Sequence, residues 1–388
     1  MSAPMMRVGI LAQGGVEWLG GVHYVNNLFK SLALLPRAKR PHLSLVIQEH
    51  HIPAFECYVQ AAAIADQVLV VYPESMPPQG AKVKVVTSMD DLFKQIDFVY
   101  PVNSTVLPGK PAASWIPDFQ HRYLPQFFTK QELEKRDAQF GMIAEKARLI
   151  IFSSESARAD FKRFYPGSPA VTRVLRFSAI PELSWFEGDA EAVRIKHGLP
   201  EDFLMCSNQF WEHKDHRTLF RALAVLRAKG ITPHVACTGH TEDYRNPAYF
   251  HGLMREVRSL GIQDQVHILG VIARQEQIIL LRRAMAVVQP SLFEGWSTVV
   301  EDCRVLGKTM FLSDFPVHVE QNPDHGIYFK QGNAHDLAEK LARHMAELAR
   351  TDNSGREHAA RAAASERMML FGLEFSRIAA EGALLMRS

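Results

Sequence analysis

The segment Arg7-Val-Gly-Ile-Leu-Ala12, followed at once by Gln13-Gly14-Gly15, decides the fold class of this 388-residue chain. The first segment is apolar and has the length of one buried strand, and from His23 to Leu35 apolar residues recur at helical spacing. A strand, a glycine-rich loop and a helix in this order form the opening βα unit of a nucleotide-binding type of fold. The N-terminal region is therefore predicted to begin a Rossmann-like domain.

Further apolar runs of strand length follow in the first half of the chain, and helical segments such as Lys130–Lys146 separate some of them. Strands that are apolar on both faces and alternate with helices are typical of a parallel sheet that is covered on both sides. The predicted strands are Leu43–Ile47, Val68–Tyr72, Val83–Val86, Phe98–Tyr100 and Leu149–Phe152.

The same pattern starts again after Ser178–Asp189, which we interpret as a linker. A helix is predicted from Arg217 to Lys229, with Gly230 as its C-terminal cap. The strands of this second series are Phe203–Cys206, Val235–Thr238, Val266–Leu269, Ala286–Gln289, Met310–Ser313 and Ile327–Phe329.

Two series of this kind predict an α/β protein with two Rossmann-like domains that face each other across a ligand cleft. The predicted limits are 1–185 for the N-terminal domain and 186–364 for the C-terminal domain. The amphipathic tail 365–388 is expected to form a closing helix, which could pack back on the N-terminal domain.

The composition is that of a chain with large buried cores, with 47% hydrophobic and 22% charged residues. The net charge is only +2, and neither half has the basic bias of a nucleic-acid-binding protein, so no nucleic-acid partner is expected. The apolar run after Arg7 is too short for a signal peptide, and no run reaches the roughly 18 residues of a membrane span. A cytoplasmic location follows as the expectation, and peripheral contact with a membrane stays open.

The cysteines are scattered through the sequence and have no CxxC spacing. Each of them lies in or beside an apolar segment, which favours buried free thiols over a disulfide framework. They are Cys57, Cys206, Cys237 and Cys303.

The most informative stretch is Pro290–Lys308, which leads from a predicted strand through a loop into a helix. The loop carries Glu294 at the exit of the strand, and the helix has Glu301 and Asp302 in its first turns. Unpaired N–H groups at a helix start can bind a diphosphate, because the helix dipole favours negative charge there. Acidic residues at this position could equally serve only to complement the dipole.

This stretch resembles the E-x7-E segment of retaining GT-B glycosyltransferases, the group that includes mannosyltransferases and glycogen synthase. In that family the first Glu contacts the donor sugar and the second holds the nucleotide ribose, so the resemblance assigns the first role to Glu294. Asp302 stands at the register of the second Glu, and Glu301 lies one position early. We favour Asp302, with Glu301 as the alternative. The connecting residues are expected to contact the donor, namely Gly295, Trp296, Ser297 and Thr298.

The family also holds the donor diphosphate with an Arg and a Lys after the first strand of the C-terminal domain. Lys214 matches the Lys, whereas Asn208 or Gln209 occupies the position of the Arg. Phosphate binding would then depend on one cation, neutral amide donors and helix N-termini. A metal site formed by Cys206, His213 and His216 is the disfavoured alternative, because further ligands at typical spacing are missing.

Two loops resemble the parts of the family that approach the donor. The glycine-rich turn that includes Gly20 and Gly21 is expected to lie near the phosphates, and the loop with Val271 is expected to contact the nucleobase through its backbone. The segment Trp115–Pro125 resembles a family element that carries His and Asp. It contributes Asp118 and His121 as candidate catalytic residues, and a purely structural His121 is the equal alternative.

The resemblance implies a metal-independent transfer of a sugar from a nucleotide-sugar donor to a hydroxyl of a carbohydrate or lipid-linked acceptor, with retention of configuration. No cofactor is expected beyond the nucleotide sugar. A GT-B-like protein that binds the nucleotide sugar without transferring it is the main alternative. An NAD-dependent oxidoreductase is disfavoured, because the first loop lacks the G-x-G-x-x-G spacing.

Overall fold

A computed structural model describes residues 5–15, 18–103, 105–348 and 354–385. The chain divides into two compact units by its internal contacts. The first unit comprises Met1–Phe119, Gln131–Ile180 and Ala364–Ser388, and the second comprises Gln120–Lys130 and Pro181–Ala363. The domain limits given above stay a prediction.

The first unit is built on an eight-stranded parallel sheet with the order β4-β3-β2-β1-β5-β6-β7-β8. The strand order reverses direction between β1 and β5, which pair directly from Val8 to Ile10 with Phe98 to Tyr100. The strands are β1 (Arg7–Leu11), β2 (His42–Gln48), β3 (Gln67–Val71), β4 (Val83–Val86), β5 (Phe98–Val102), β6 (Ala112–Ile116), β7 (Leu149–Phe152) and β8 (Val171–Val174).

Helices cover this sheet, and they are numbered here along the whole chain. A 3-10 helix at Glu49–Tyr58 follows β2. The helices of the first unit are α1 (Leu19–Ala33), α2 (Val59–Ile64), α3 (Met89–Gln95), α5 (Lys130–Lys146), which starts at its border, α6 (Glu155–Phe164) and most of α15 (Ser354–Leu385).

The second unit has a six-stranded parallel sheet with the order β11-β10-β9-β12-β13-β14, which is the arrangement of a dinucleotide-binding fold. Its strands are β9 (Phe203–Ser207), β10 (His234–Thr238), β11 (Val266–Gly270), β12 (Val287–Gln289), β13 (Met310–Ser313) and β14 (Gly326–Phe329). Its helices are α4 (Gln120–Tyr123), α7 (Ser184–Glu187), α8 (Ala190–Lys196), α9 (His216–Arg227), α10 (Tyr249–Ser259), α11 (Arg274–Arg283), α12 (Thr298–Val305), α13 (Pro316–Gln321), α14 (Ala334–Leu348) and the start of α15.

The fold class is confirmed, since both series of predicted strands form parallel sheets. Two strands were not predicted: β6 contains small and polar residues, and β8 is a half-buried edge strand that carries Thr172 and Arg173. The predicted linker also contains α7. The closing helix begins earlier than predicted, at Ser354.

One correction concerns the glycine-rich turn. Helix α1 begins at Leu19, so Gly20 and Gly21 lie in its first turn and not in a loop. The close approach explains the glycine at position 21, since a Cβ there would lie 2.7 Å from the carbonyl oxygen of Gln13. Gly14, with a φ of +77°, makes the actual turn after β1.

The C-terminal part of α15 packs within the first unit. The Ser31 hydroxyl donates to the carbonyl of Met368, and the ring of Phe375 lies 5.6 Å from that of Tyr100. Across the described helices, none combines the length and the apolar character that a membrane span requires.

Candidate functional site

The candidate site of the second unit lies where β9 and β12 end, at the point where the strand order reverses. In open parallel sheets, ligands bind at the carboxyl ends of the strands at such a point. The side-chain amide of Asn208, just after β9, donates to Oε1 of Gln289 at the end of β12, at 2.9 Å. Asn208 is therefore used to join the two strand ends, whereas Gln209 is half-buried beside it.

Lys214 and Glu294 lie in contact at this edge of the sheet. Both were predicted from the sequence as residues of the donor site. The Lys214 ammonium lies 2.7 Å from Oε1 and 2.8 Å from Oε2 of Glu294, and the Ser291 hydroxyl donates to Oε1 at 2.7 Å. Both charged side chains are largely buried, with exposed fractions of 16% and 9%. The ion pair therefore lies in a partly desolvated place, where it is stronger than at an open surface.

The loop that carries Lys214 has a defined local structure. A 3-10 helix spans Glu212–Lys214 and ends at Asp215, whose φ of +50° reverses the chain. The Asp215 carboxylate then caps α9 by accepting from the Thr218 amide at 3.2 Å. The carbonyl of His213 accepts from the amide of Leu292 at 2.7 Å, which joins this loop to the Glu294 loop.

The electrostatics keep Glu294 ionised. Burial alone raises the pKa of Glu294, but Lys214, His318 and the Ser291 hydroxyl together outweigh it, so the pKa lies below its usual value. Burial lowers the pKa of His318, although the nearby Glu294 opposes this shift. Within the described part of the chain, Nε2 of His318 has no hydrogen-bond partner. The site thus combines a carboxylate, an ammonium group and a neutral imidazole.

Ser297 is the N-terminal cap of α12. Its hydroxyl accepts from the Val300 amide at 3.4 Å, and Gln321 bonds both its N–H and its carbonyl, at 3.2 and 3.0 Å. Ahead of it in the sequence, Gly295 and Trp296 are half-buried, as is Thr298. Gln321 was not among the predicted site residues, although it fixes the geometry of this helix start.

Glu301 and Asp302 are held by different neighbours. Oε1 of Glu301 accepts from Gln321 at 3.0 Å, and its other oxygen lies 3.4 Å from Arg304. Oδ1 of Asp302 accepts from Arg274 at 2.7 Å. Burial raises the pKa of Asp302, and Arg274 offsets this only in part. Neighbouring helix residues point about 100° apart, which explains why the two acids have separate partners.

Arg274 is a site residue that sequence reasoning missed. It is the first residue of α11, directly after the loop with Val271, and its guanidinium lies over the Trp185 ring at 5.3 Å. Its hydrogen bond to Asp302 therefore connects the start of α11 with α12. An arginine at a helix start opposes the helix dipole, and this is a signal that could have indicated a specific partner.

His121 and Asp118 fall into different units. His121 lies in α4 of the second unit, is buried, and contacts Phe128 edge-on at 6.5 Å. The Tyr123 ring in the same helix lies 5.7 Å from Phe293, the neighbour of Glu294. Asp118 belongs to the first unit and is half-buried, and Gly20 and Gly21 lie in that unit as well.

The residues of the alternative metal site have other neighbours in the structure. In the ranges that the structure describes, no three His, Cys, Asp or Glu side chains are grouped as metal ligands. Cys206 pairs in register with Cys237 on the neighbouring strand, and Nδ1 of His213 lies 3.3 Å from the Arg245 guanidinium. All the described cysteines are free thiols.

Solved structures of several proteins share the fold of this chain over nearly its whole length. HepE from Anabaena, in complex with UDP and glucose, has a TM-score of 0.67 at 16% identity, with 96% of this chain and 99% of that chain covered. Sucrose-phosphate synthase from Thermosynechococcus elongatus has a TM-score of 0.62 at 16% identity, with 99% and 100% covered. A glycosyltransferase from Rickettsia africae has a TM-score of 0.63 at 11% identity, with 98% and 99% covered. These structures establish the GT-B fold.

A comparison with curated protein sequences gives no match. Residues 189–361, which contain Lys214, Glu294, Asp302 and Arg274, match the family model described as "Glycosyl transferases group 1". The chain therefore has the GT-B fold, and a segment of its second unit matches the glycosyl transferases group 1 family.

Proposed function

We propose that this protein transfers a sugar from a nucleotide-sugar donor to an acceptor hydroxyl with retention of configuration and without a metal ion. The observation that carries the proposal is the buried ion pair of Lys214 with both oxygens of Glu294 at the switch point of the second sheet. A lysine ammonium has three N–H donors, and Glu294 accepts two of them. The third can bind a phosphate oxygen of the donor.

The remaining roles follow from the neighbours of this pair. Glu294 would accept hydrogen bonds from hydroxyls of the donor sugar, because its low pKa keeps it ionised near neutral pH. Asp302 and the Val271 loop would hold the nucleoside, and the start of α12 at Ser297 would face the diphosphate. HepE was solved with UDP-glucose, so a uridine diphosphate sugar is the first donor to test.

Charge builds on the diphosphate as the bond to the sugar breaks. Lys214 and the N–H groups at the start of α12 are placed before the reaction, and such preorganised donors lower the barrier. The acceptor, a carbohydrate or lipid-linked hydroxyl compound, would attack from the face that the diphosphate leaves. The leaving diphosphate would take the proton of that hydroxyl, so no protein base or metal ion is required. Asp118 and His121 would orient the acceptor or the sugar.

The test uses the purified chain with UDP-glucose and other nucleotide sugars. We expect donor binding, release of the nucleoside diphosphate when acceptor pools are added, an unchanged anomeric configuration in the product, and activity in excess chelator. A strict requirement for Mg²⁺ or Mn²⁺, or an inverted product, would contradict the mechanism.

One observation favours the alternative of a protein that binds a nucleotide sugar without transferring the sugar. The position of the family's phosphate-binding Arg is taken by Asn208 or Gln209, and the Asn208 amide is bound to Gln289. Tight donor binding without any turnover across the acceptor panel would favour a nucleotide-sugar-binding protein over an enzyme.

A further inference from the structure

The first unit contains a cavity of about 760 Å³ at the carboxyl ends of its central strands. Its apolar walls come from the ends of β1, β2, β3 and β5, with Leu11, Val46, Val71 and Val99 among the lining residues. A volume of this size suits a small organic molecule of one or two rings.

The polar side chains described around this cavity are amides, histidines and a threonine hydroxyl. Amide side chains lie at the strand ends, where Asn103 donates to Gln13 and Gln13 in turn donates to the carbonyl of Pro101 at 3.2 Å. Among the described lining residues there is no Lys, Arg, Asp or Glu. A phosphate or carboxylate group entering the cavity would therefore lose its hydration without gaining a cation.

His51 provides an unused hydrogen-bonding group inside the cavity. It is only 6% exposed, and in the described chain its Nδ1 has no hydrogen-bond partner. Burial, aided by the neighbouring His50, lowers the pKa of His51 to about 4. The ring is therefore neutral at physiological pH, and a buried group without a partner favours binding of a ligand that supplies one.

Trp18 offers an aromatic surface at the edge of the same cavity. Its side chain is 40% exposed, and the ring of Trp115 stacks on it at 6.0 Å with an interplanar angle of 17°. The exposed part of such a ring is suited to the apolar C–H face of a sugar.

We infer that this cavity binds an uncharged, hydroxyl-bearing ligand with an apolar face, a neutral sugar or glycoside, and that it discriminates against sugar phosphates. His51 bonds a ligand hydroxyl, the Gln13 and Asn103 amides contact further hydroxyls, and the valine and leucine walls cover the apolar face. The inference rests on the proposed function in one respect, since it makes this neutral compound the acceptor.

The test measures binding to the full chain by calorimetry in the absence of any donor. The neutral probes are maltose, methyl α-mannoside and octyl β-glucoside below its micelle concentration, and the charged probes are glucose 6-phosphate and mannose 6-phosphate. We expect at least one neutral probe to bind at least tenfold more tightly than both phosphates. The His51→Ala variant should weaken that binding by tenfold or more, and His51→Asn, which keeps a hydrogen-bonding atom near the Nδ1 position, should restore part of it.

A gain-of-function variant makes the test independent of folding defects. Gln48 lines the cavity and is half-buried, so Gln48→Lys should bring a cation to it and raise the affinity for the phosphates. Gln79→Lys adds the same charge at an exposed position of the same unit and should change nothing.

Tighter binding of a phosphate than of every neutral probe by the unchanged protein would overturn the inference. So would the absence of neutral binding, or neutral binding that His51→Ala leaves intact. UDP-glucose binding, measured on the same samples, reports on the second unit. If the unchanged protein binds a neutral probe but not UDP-glucose, the result counts against the proposed function alone. If it binds UDP-glucose but no neutral probe, the result counts against this inference alone.

Discussion

At the scale of single residues, the pairing of Lys214 with Glu294 makes the sharpest prediction. Lys214→Ala removes the cation that we propose binds the diphosphate, and it leaves Glu294 buried without its charged partner. A charge-assisted hydrogen bond contributes about 1.5–3 kcal/mol, so donor affinity should fall by roughly ten- to 150-fold. Calorimetric titration with the nucleotide sugar measures the donor affinity of each variant. The matched control is Lys229→Ala, which removes an exposed lysine that follows α9. Equal affinities in the two variants would remove Lys214 from the site.

The adjacent acids Glu301 and Asp302 make a second prediction. Asp302 is bonded to Arg274 beside the Val271 loop, whereas Glu301 is bonded to Gln321 and Arg304. We therefore expect Asp302→Asn to weaken nucleotide binding by about tenfold, because it loses one charge-assisted contact of about 1.5 kcal/mol.

The matched variant is Glu301→Gln, which keeps the shape of the side chain and should change nucleotide affinity by less than twofold. It should instead lower the thermal midpoint of unfolding, because the Arg304 ion pair is lost. A large loss of affinity in Glu301→Gln with none in Asp302→Asn would show that the ribose-binding register is one residue earlier.

At the scale of elements, helix α15 contains one glycine that is closely packed and one that is not, so the two can be compared by substitution. A Cβ added at Gly372 would lie 2.8 Å from Oγ and 2.9 Å from the carbonyl oxygen of Ser31, whereas one added at Gly355 meets nothing within 4 Å. Gly372→Ala should therefore destabilise the protein by about 1–3 kcal/mol through overpacking. Gly355→Ala should leave stability equal or raise it by up to about 1 kcal/mol, because alanine favours the helix.

Chemical denaturation of the two variants measures the difference. Equal stabilities would mean that α15 does not pack against α1 as closely as the distances at Gly372 indicate. Gly21 in the first turn of α1 is a second case in which close packing, and not a left-handed backbone, requires glycine.

At the scale of the whole molecule, buried neutral histidines make stability depend on pH. Burial lowers the pKa of His213 well below its usual value, with the cations Lys214 and Arg245 adding to the shift, and burial also lowers the pKa of His318. In the unfolded chain both rings take up a proton near pH 6.5, so below this pH the unfolded state binds more protons than the folded state. The free energy of unfolding should therefore fall as the pH drops from 7.5 to 5.5.

The limiting slope is about 1.4 kcal/mol per pH unit for each such group. His213→Asn keeps an acceptor for Arg245 and should reduce the slope. The control His335→Asn changes an exposed histidine and should leave it unchanged. A slope that is the same in all three proteins would show that His213 titrates normally in the folded state. Asp302, whose pKa is raised by burial, acts in the opposite direction between the usual pKa of a carboxylate and its own raised pKa.

The sequence by itself determined the two parallel sheets, because runs that are apolar on both faces are a local property that can be read without knowing their partners. Thus Leu43–Ile47 and Met310–Ser313 were predicted within a residue of β2 and β13. The strands with weaker patterns were missed, since β8 is a half-buried edge strand whose side chains do not have to be apolar. The resemblance to the family also assigned both Lys214, after β9, and Glu294, in Pro290–Lys308, to the donor site, and the structure brings the two side chains into contact.

Only the tertiary structure decided which side chains meet. The electrostatic interaction of Glu294 with His318 and the hydrogen bond of Arg274 to Asp302 join positions that lie 24 and 28 residues apart in the chain. They depend on the order of the strands in the sheet, which no local pattern encodes. The same is true of Gln120–Lys130, which belongs to the second unit although it is flanked in sequence by the first. Burial is likewise set by the surrounding elements and not by residue type, which is why the pKa values of Glu294 and Asp302 shift in opposite directions.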